Sequence, residues 1–156
     1  MTAPANDAAA VVLAVDPGTA KCGLAVVDDR RRVHARTVVE ASDLADAVAA
    51  LLRAHPVTHV VVGDRTGARR IAARLREVAG SRPVLPVDEH LSTLEARRRY
   101  FRDHPPRGWR RLLPPGLRVP PCPTDDYVAV ILAERFLAAS AAGQAGERQR
   151  RARASK

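Results

Sequence analysis

Cysteine is almost missing from this chain. Its 156 residues hold two, Cys22 and Cys122, which excludes a disulfide framework and a four-cysteine zinc site. Lysine is as scarce: with only Lys21 and Lys156 present, arginine carries nearly all the positive charge. No apolar run approaches the ~20 residues that cross a bilayer. The opening stretch MTAPANDAAA lacks the basic segment of a secretory signal. The expectation is a cytoplasmic protein with no membrane partner. His34, His55, His59, His90 and His104 show no metal-ligand spacing.

What is present suits one folded domain. Hydrophobic residues make up 46% and charged residues 28%, which excludes a wholly disordered chain. The net charge is +9, and its position says more than its total. Residues 1–96 are neutral overall, 97–118 carry eight arginines against Asp103, and the tail 139–156 is again basic. Clustered arginine is the footprint of phosphate binding; biased codon usage and a solvated charged face are the plainer accounts.

Periodicity and turn signals predict strands at 10–15, 22–28, 33–40, 58–63 and 83–89. Helices are predicted at 43–54 (capped by Ser42), 67–79, 92–102 and 125–139. Residues 103–124 hold seven of the twelve prolines and exclude a regular element. The order β-β-β-α-β-α-β-α-loop-α predicts an α/β domain over 10–139. Its five-stranded mixed sheet would be antiparallel at first and parallel later, flanked by helices. A disordered tail is expected over 1–9, and a basic tail over 140–156.

Asp16, Asp64 and Glu89 each follow a strand, where open α/β sheets gather ligands if those strands run parallel. Asp125 and Asp126 open the last helix; at 100° per residue the polar pair Glu134 and Arg135 marks its outer face, and both acids reach its inner one. Taken singly, each is as well explained as a turn or helix-capping acid. Converging, they form a costly cluster unless a cation compensates it. Oxygen ligands favour Mg²⁺ or Mn²⁺, and two such ions about 4 Å apart suit phosphodiester hydrolysis.

LAVDPGTAKCGLAV, VDEHLSTLEAR and DDYVAVILAERFL, in this order and spacing, resemble the YqgF/RuvX family of RNase H-fold proteins, relatives of the RuvC junction resolvases. The resemblance covers roughly residues 11–138. It implies an RNase H-like fold and a divalent-metal nuclease, acting on four-way DNA junctions or on the 5′ side of precursor 16S ribosomal RNA. It implies Asp16, Glu89 and Asp125 as the catalytic, metal-binding acids. Asp126 is expected to support the metal. So is Asp64, since RuvC-type resolvases place an acid at the end of the same strand. A homodimer is expected by the same analogy. The chain departs from the pattern at Gly63-Asp64-Arg65-Thr66-Gly67, where Gly-Leu-Pro is usual, and in its long loop. DPGTAKCGLAV also resembles the first phosphate loop of the actin and sugar-kinase fold, but no second glycine-rich loop accompanies it.

Lys21, Arg65, Arg97, Trp109, Arg110 and Arg111 are the candidate nucleic-acid contacts. Two readings stand for Lys21, a phosphate contact or a solvated hairpin residue, and two for Trp109, a base-stacking platform or a pin holding the loop to the body. Arg97, Arg98 and Arg99 span about 200° of a helix and cannot all face one ligand. The rival from another class is a non-catalytic nucleic-acid-binding module of the same fold.

Overall fold

The computed structural model describes residues 9–65 and 67–154; the tail expected over 1–9 lies outside them except for its last residue. The strands are β1 (Val11–Asp16), β2 (Lys21–Asp28), β3 (Val33–Glu40), β4 (His59–Gly63) and β5 (Val84–Val87). The helices are α1 (Leu44–Ala54), α2 (Ala68–Ala79), α3 (Ser92–Asp103) and α4 (Asp125–Ala154). The sheet order is β3-β2-β1-β4-β5. β1 pairs antiparallel with β2 and parallel with β4, and β4 runs parallel to β5, as the order of elements predicts.

Alternation along the strands divides the core in two. Val12, Ala14, Ala25, Val27 and Val61 face α3 and α4. Val11, Leu13, Val15, Leu24, Val26, Val60 and Val62 face α1 and α2. β1 is buried along its whole length, as a central strand covered on both faces must be. The β2–β3 turn is fixed by Asp28, whose Oδ1 accepts the N–H groups of Arg30 (2.9 Å) and Arg32 (2.8 Å).

Three boundaries differ from expectation. A 3-10 turn at Ala41–Asp43 precedes α1, so Asp43 rather than Ser42 takes the cap position, without a side-chain cap bond. β5 ends at Val87, which leaves Glu89 in the turn beyond it. α4 runs to Ala154 instead of stopping at 139. Alanine, glutamine, glutamate and arginine are good helix formers, and Gly143 and Gly146 each cost only about 1 kcal/mol in a helix interior. The stretch Asp125–Ala145 has the length and mean hydropathy (1.3) of a membrane span by composition alone. Its apolar face, Tyr127 to Ala133 and Leu137, is buried on the sheet.

Loop 103–124 holds only two 3-10 turns, Gly108–Leu112 and Pro115–Leu117, as its prolines require.

Candidate active site

Val15 lies opposite Val62 in the β1–β4 pair, and Gly63 opposite Val87 in the β4–β5 pair. The three parallel strands therefore end together. Asp16 closes β1, Asp64 follows β4, and Glu89 lies two residues past β5. Alternation from Val12 and Ala14 puts Asp16 on the α4 face.

Two glycines leave room for the other acids. Gly23 pairs with Asp16 across the β1–β2 ladder, and a side-chain carbon there would collide with the Asp125 backbone. The first turn of α4 therefore lies directly on the sheet beside Asp16. A side-chain carbon at Gly63 would collide with the Glu89 carboxylate, so that carboxylate rests over bare β4 backbone.

The electrostatics follow from this crowding. Asp16 is 8% exposed and Glu89 3%. Burial, then repulsion from Glu89 and Asp125, pushes the Asp16 carboxyl up to about 7, with Arg65 opposing. Burial also raises Glu89, against the pull of Arg65. Asp125 is raised by burial and by Asp126, and lowered by Lys21 and Arg65. Asp16 thus feels both Glu89 and Asp125, and Arg65 acts on all three acids.

The turn that carries Glu89 is held from three sides. The Glu89 N–H donates to Asp64 Oδ1 at 3.2 Å, and its carbonyl accepts the Ser92 N–H at 2.9 Å. Arg135, on α4, donates to the carbonyls of Asp88 and His90, both at 2.8 Å, bracketing Glu89. The same turn holds Leu91 at φ 58°, a left-handed conformation that is uncommon for leucine. Sequence reasoning places Arg135 on the outer face of α4 with Glu134. A surface arginine that binds backbone carbonyls leaves no sequence signal.

The remaining candidates divide. Arg65 turns toward the acids: its Nε lies 2.7 Å from Glu89 Oε2, and Nη2 donates to Thr93 at 3.0 Å. Asp126 turns away, with Oδ2 3.0 Å from Arg36 Nε and Oδ1 accepting the Tyr127 N–H at 3.0 Å. Lys21 is exposed, 3.9 Å from Glu40, yet close enough to lower Asp125. Arg97 lines a cavity of about 370 Å³ with Leu94, Phe101, Arg98, Arg102 and Arg118, whereas Arg99 is paired with Glu95 and Glu134. The three consecutive arginines thus split between faces, as helix geometry requires. Arg111 lines a neighbouring cavity with Arg107 and Arg118. Arg110 is exposed in the same 3-10 turn as Trp109. Trp109 is 68% exposed, so it does not pin the loop to the body.

The donor set suits a hard divalent cation. Both Glu89 carboxylate oxygens are buried, which is costly for a carboxylate; the Arg65 ion pair at Oε2 offsets part of that cost, and the neighbouring groups are carboxylates. As they stand, no three His, Cys, Asp or Glu side chains among the described residues are gathered closely enough to hold an ion. Arg65 supplies the nearby positive charge.

The sequence pattern of the RuvX family, described as Holliday junction resolvase, matches residues 10–111. The chain belongs to the RuvX family. No curated relative matches it. Among solved structures, Thermus thermophilus RuvC in complex with a Holliday junction substrate is similar, with a TM-score of 0.54 and 18% identity over 80% of this chain and 90% of that one. Another structure of T. thermophilus RuvC gives 0.49 and 17% identity, covering 79% and 90%. The first likeness shows that this RuvX chain has the RNase H-like fold of RuvC. The family match takes in Asp16, Asp64 and Glu89 but stops short of Asp125, so the place of Asp125 in the site rests on its packing against Gly23.

Proposed function

We propose that this RuvX chain is a metal-dependent endonuclease that cuts branched DNA. The observation that carries this reading is the placement of Asp16, Glu89 and Asp125, three acids from separate elements, at the carboxyl edge of the sheet. Buried acids with raised pKa values gathered at a strand edge are the physical mark of a functional site.

Asp16, Glu89 and Asp125 would hold Mg²⁺ or Mn²⁺. Bound there, the ion would supply an activated water and neutralise charge on the phosphate. The chain's own residues do the rest. Asp64 and Arg135 fix the turn that aims Glu89. Arg65 holds the Glu89 carboxylate while the acids are otherwise uncompensated. Asp126 and Arg36 tie the start of α4 to β3 and so set where Asp125 stands. Lys21 offers positive charge beside Asp125 to an incoming phosphate. Arg97, Trp109, Arg110 and Arg111 give a basic, partly aromatic surface for backbone contact and base stacking. A four-way junction presents two symmetric strands, so cutting both calls for two copies of the chain.

The test is cleavage of a mobile four-way junction, a plain duplex and a precursor 16S fragment, each in Mg²⁺, Mn²⁺ and EDTA. The expected result is cutting of the junction in either metal and none in EDTA. Preferred cutting of the RNA would move the substrate to ribosomal precursor. Salt-dependent binding with no cutting in any condition would leave a non-catalytic binding module.

A further inference from the structure

A second polar cavity lies on the opposite face of the sheet from the acids. It measures about 740 Å³ and is bounded by the β1–β2 turn, the 3-10 turn before α1, and α2. Its polar wall is Thr19, Ser42, Arg70 and Arg74, and no carboxylate lines it. Arg70 and Arg74 are four apart on α2 and therefore share a face. Both are exposed, and neither forms an ion pair or side-chain hydrogen bond with the described residues. The other wall begins at Pro17, the residue after Asp16. Asp16 points to the α4 face, while Cys22, at the back of this cavity, belongs to the α1–α2 core. One short turn thus carries the catalytic acid on one side and this basic recess on the other.

We propose that the recess binds backbone phosphates of the same nucleic acid that the acids cut, so that the substrate is gripped on both faces of the sheet's carboxyl edge. This rests on the nuclease reading and adds to it a second contact site through which branched substrate is chosen. Two unpaired arginine forks and the Thr19 hydroxyl match the donor needs of consecutive phosphodiesters; the Ser42 hydroxyl beside them is engaged with Asp43 Oδ1 at 3.2 Å. A straight duplex lying on the acid face cannot also reach the opposite face. A branched nucleic acid, whose arms diverge at the point of cutting, can reach both. Arg70 and Arg74 would therefore select branched over linear substrate.

The test is the double variant Arg70→Glu/Arg74→Glu beside Arg70→Lys/Arg74→Lys. Binding of a four-way junction and of a linear duplex of equal length is measured by fluorescence anisotropy in EDTA across a salt series. Thermal melting checks the fold, which exposed, unpaired side chains are not expected to disturb. The Glu pair is expected to weaken junction binding about tenfold and to lower its salt slope by about two. Duplex binding should change less than about twofold, and the Lys pair should keep most of the affinity. Equal loss on both substrates would make the effect a general field and overturn the recess as a site, as would no loss on either. If the parent protein binds neither substrate, the nuclease reading falls, and the recess falls with it. If the parent binds but does not cut, and the selective loss remains, only the catalytic part of that reading falls.

Discussion

The acids and the arginines of this molecule are held in opposite ways. Asp16 and Glu89 are buried, and Asp125 is half-buried against the sheet. Each is fixed by strand register, by a close approach at glycine, or by hydrogen bonds to the turn that carries it. Trp109, Arg110 and Arg111 stand exposed on a 3-10 turn within a proline-rich loop. The contrast fits the two tasks. Bond cleavage requires reacting groups held to within about half an ångström. Attraction to phosphate acts over about 10 Å at ordinary salt and tolerates loose placement. Altering the first group should change rate at constant affinity, and altering the second should change affinity at constant rate.

Beyond the acids themselves, the largest effect expected is at Gly63. Gly63→Ala puts a methyl where the Glu89 carboxylate rests and displaces it. Cleavage should fall by about 10² or more, with the fold intact by circular dichroism and junction binding unchanged. Full activity would show that Glu89 is not required where it stands. Arg135→Ala should come next. It frees the carbonyls on either side of Glu89 and is expected to lower the saturated rate by about tenfold, with KM unchanged. A change in KM alone would make Arg135 a substrate contact and not a support of Glu89.

How much of this is legible in the sequence depends on what holds each residue. The five strands and their mixed order follow from buried apolar runs, because periodicity and burial act locally; Asp16 and Glu89 stand out as acids at strand ends and Asp125 as an acid in a helix's first turn, and the family resemblance groups the three. Arg135, Asp64 and Arg65 are different. Their partners lie 47, 25 and 24 residues away (Asp88, Glu89 and Glu89 respectively), and a backbone carbonyl gives no sequence signal about which side chain will reach it. Asp126 shows the same limit: helical spacing lets it face inward, but Arg36 on the exposed strand β3 draws it away. The end of α4 was hidden for another reason, since no proline or cap marks where an alanine- and arginine-rich stretch stops being helical.

Titration separates the two regions further. Folded Asp16 holds its proton up to about 7, against an ordinary value of 3.8. The folded state therefore binds a proton more tightly than the unfolded state. In EDTA, stability should be greatest at low pH as far as this group is concerned, and should decline between about pH 4 and 7. Asp16→Asn should reduce that decline, leaving the part due to Glu89 and Asp125, and raise stability at pH 8 by on the order of 2–4 kcal/mol. Denaturant melts from pH 5 to 8 would show it, and a parent protein with no slope in that range would contradict the burial argument. The exposed loop should show the smallest effect. Trp109→Ala is expected to weaken junction binding roughly 3–10-fold through lost stacking and to leave the saturated rate alone. A rate loss without an affinity loss would place the loop in the cutting machinery.

The central claim is that the buried acids do chemistry and do not merely hold the fold together. Asp16→Asn keeps the shape of the side chain and removes its charge. The decisive measurement is junction cleavage in Mn²⁺ by this variant and its parent, paired with junction affinity in EDTA. The parent is expected to cut and the variant is not, with equal affinity for both. Equal cutting by both would contradict the claim.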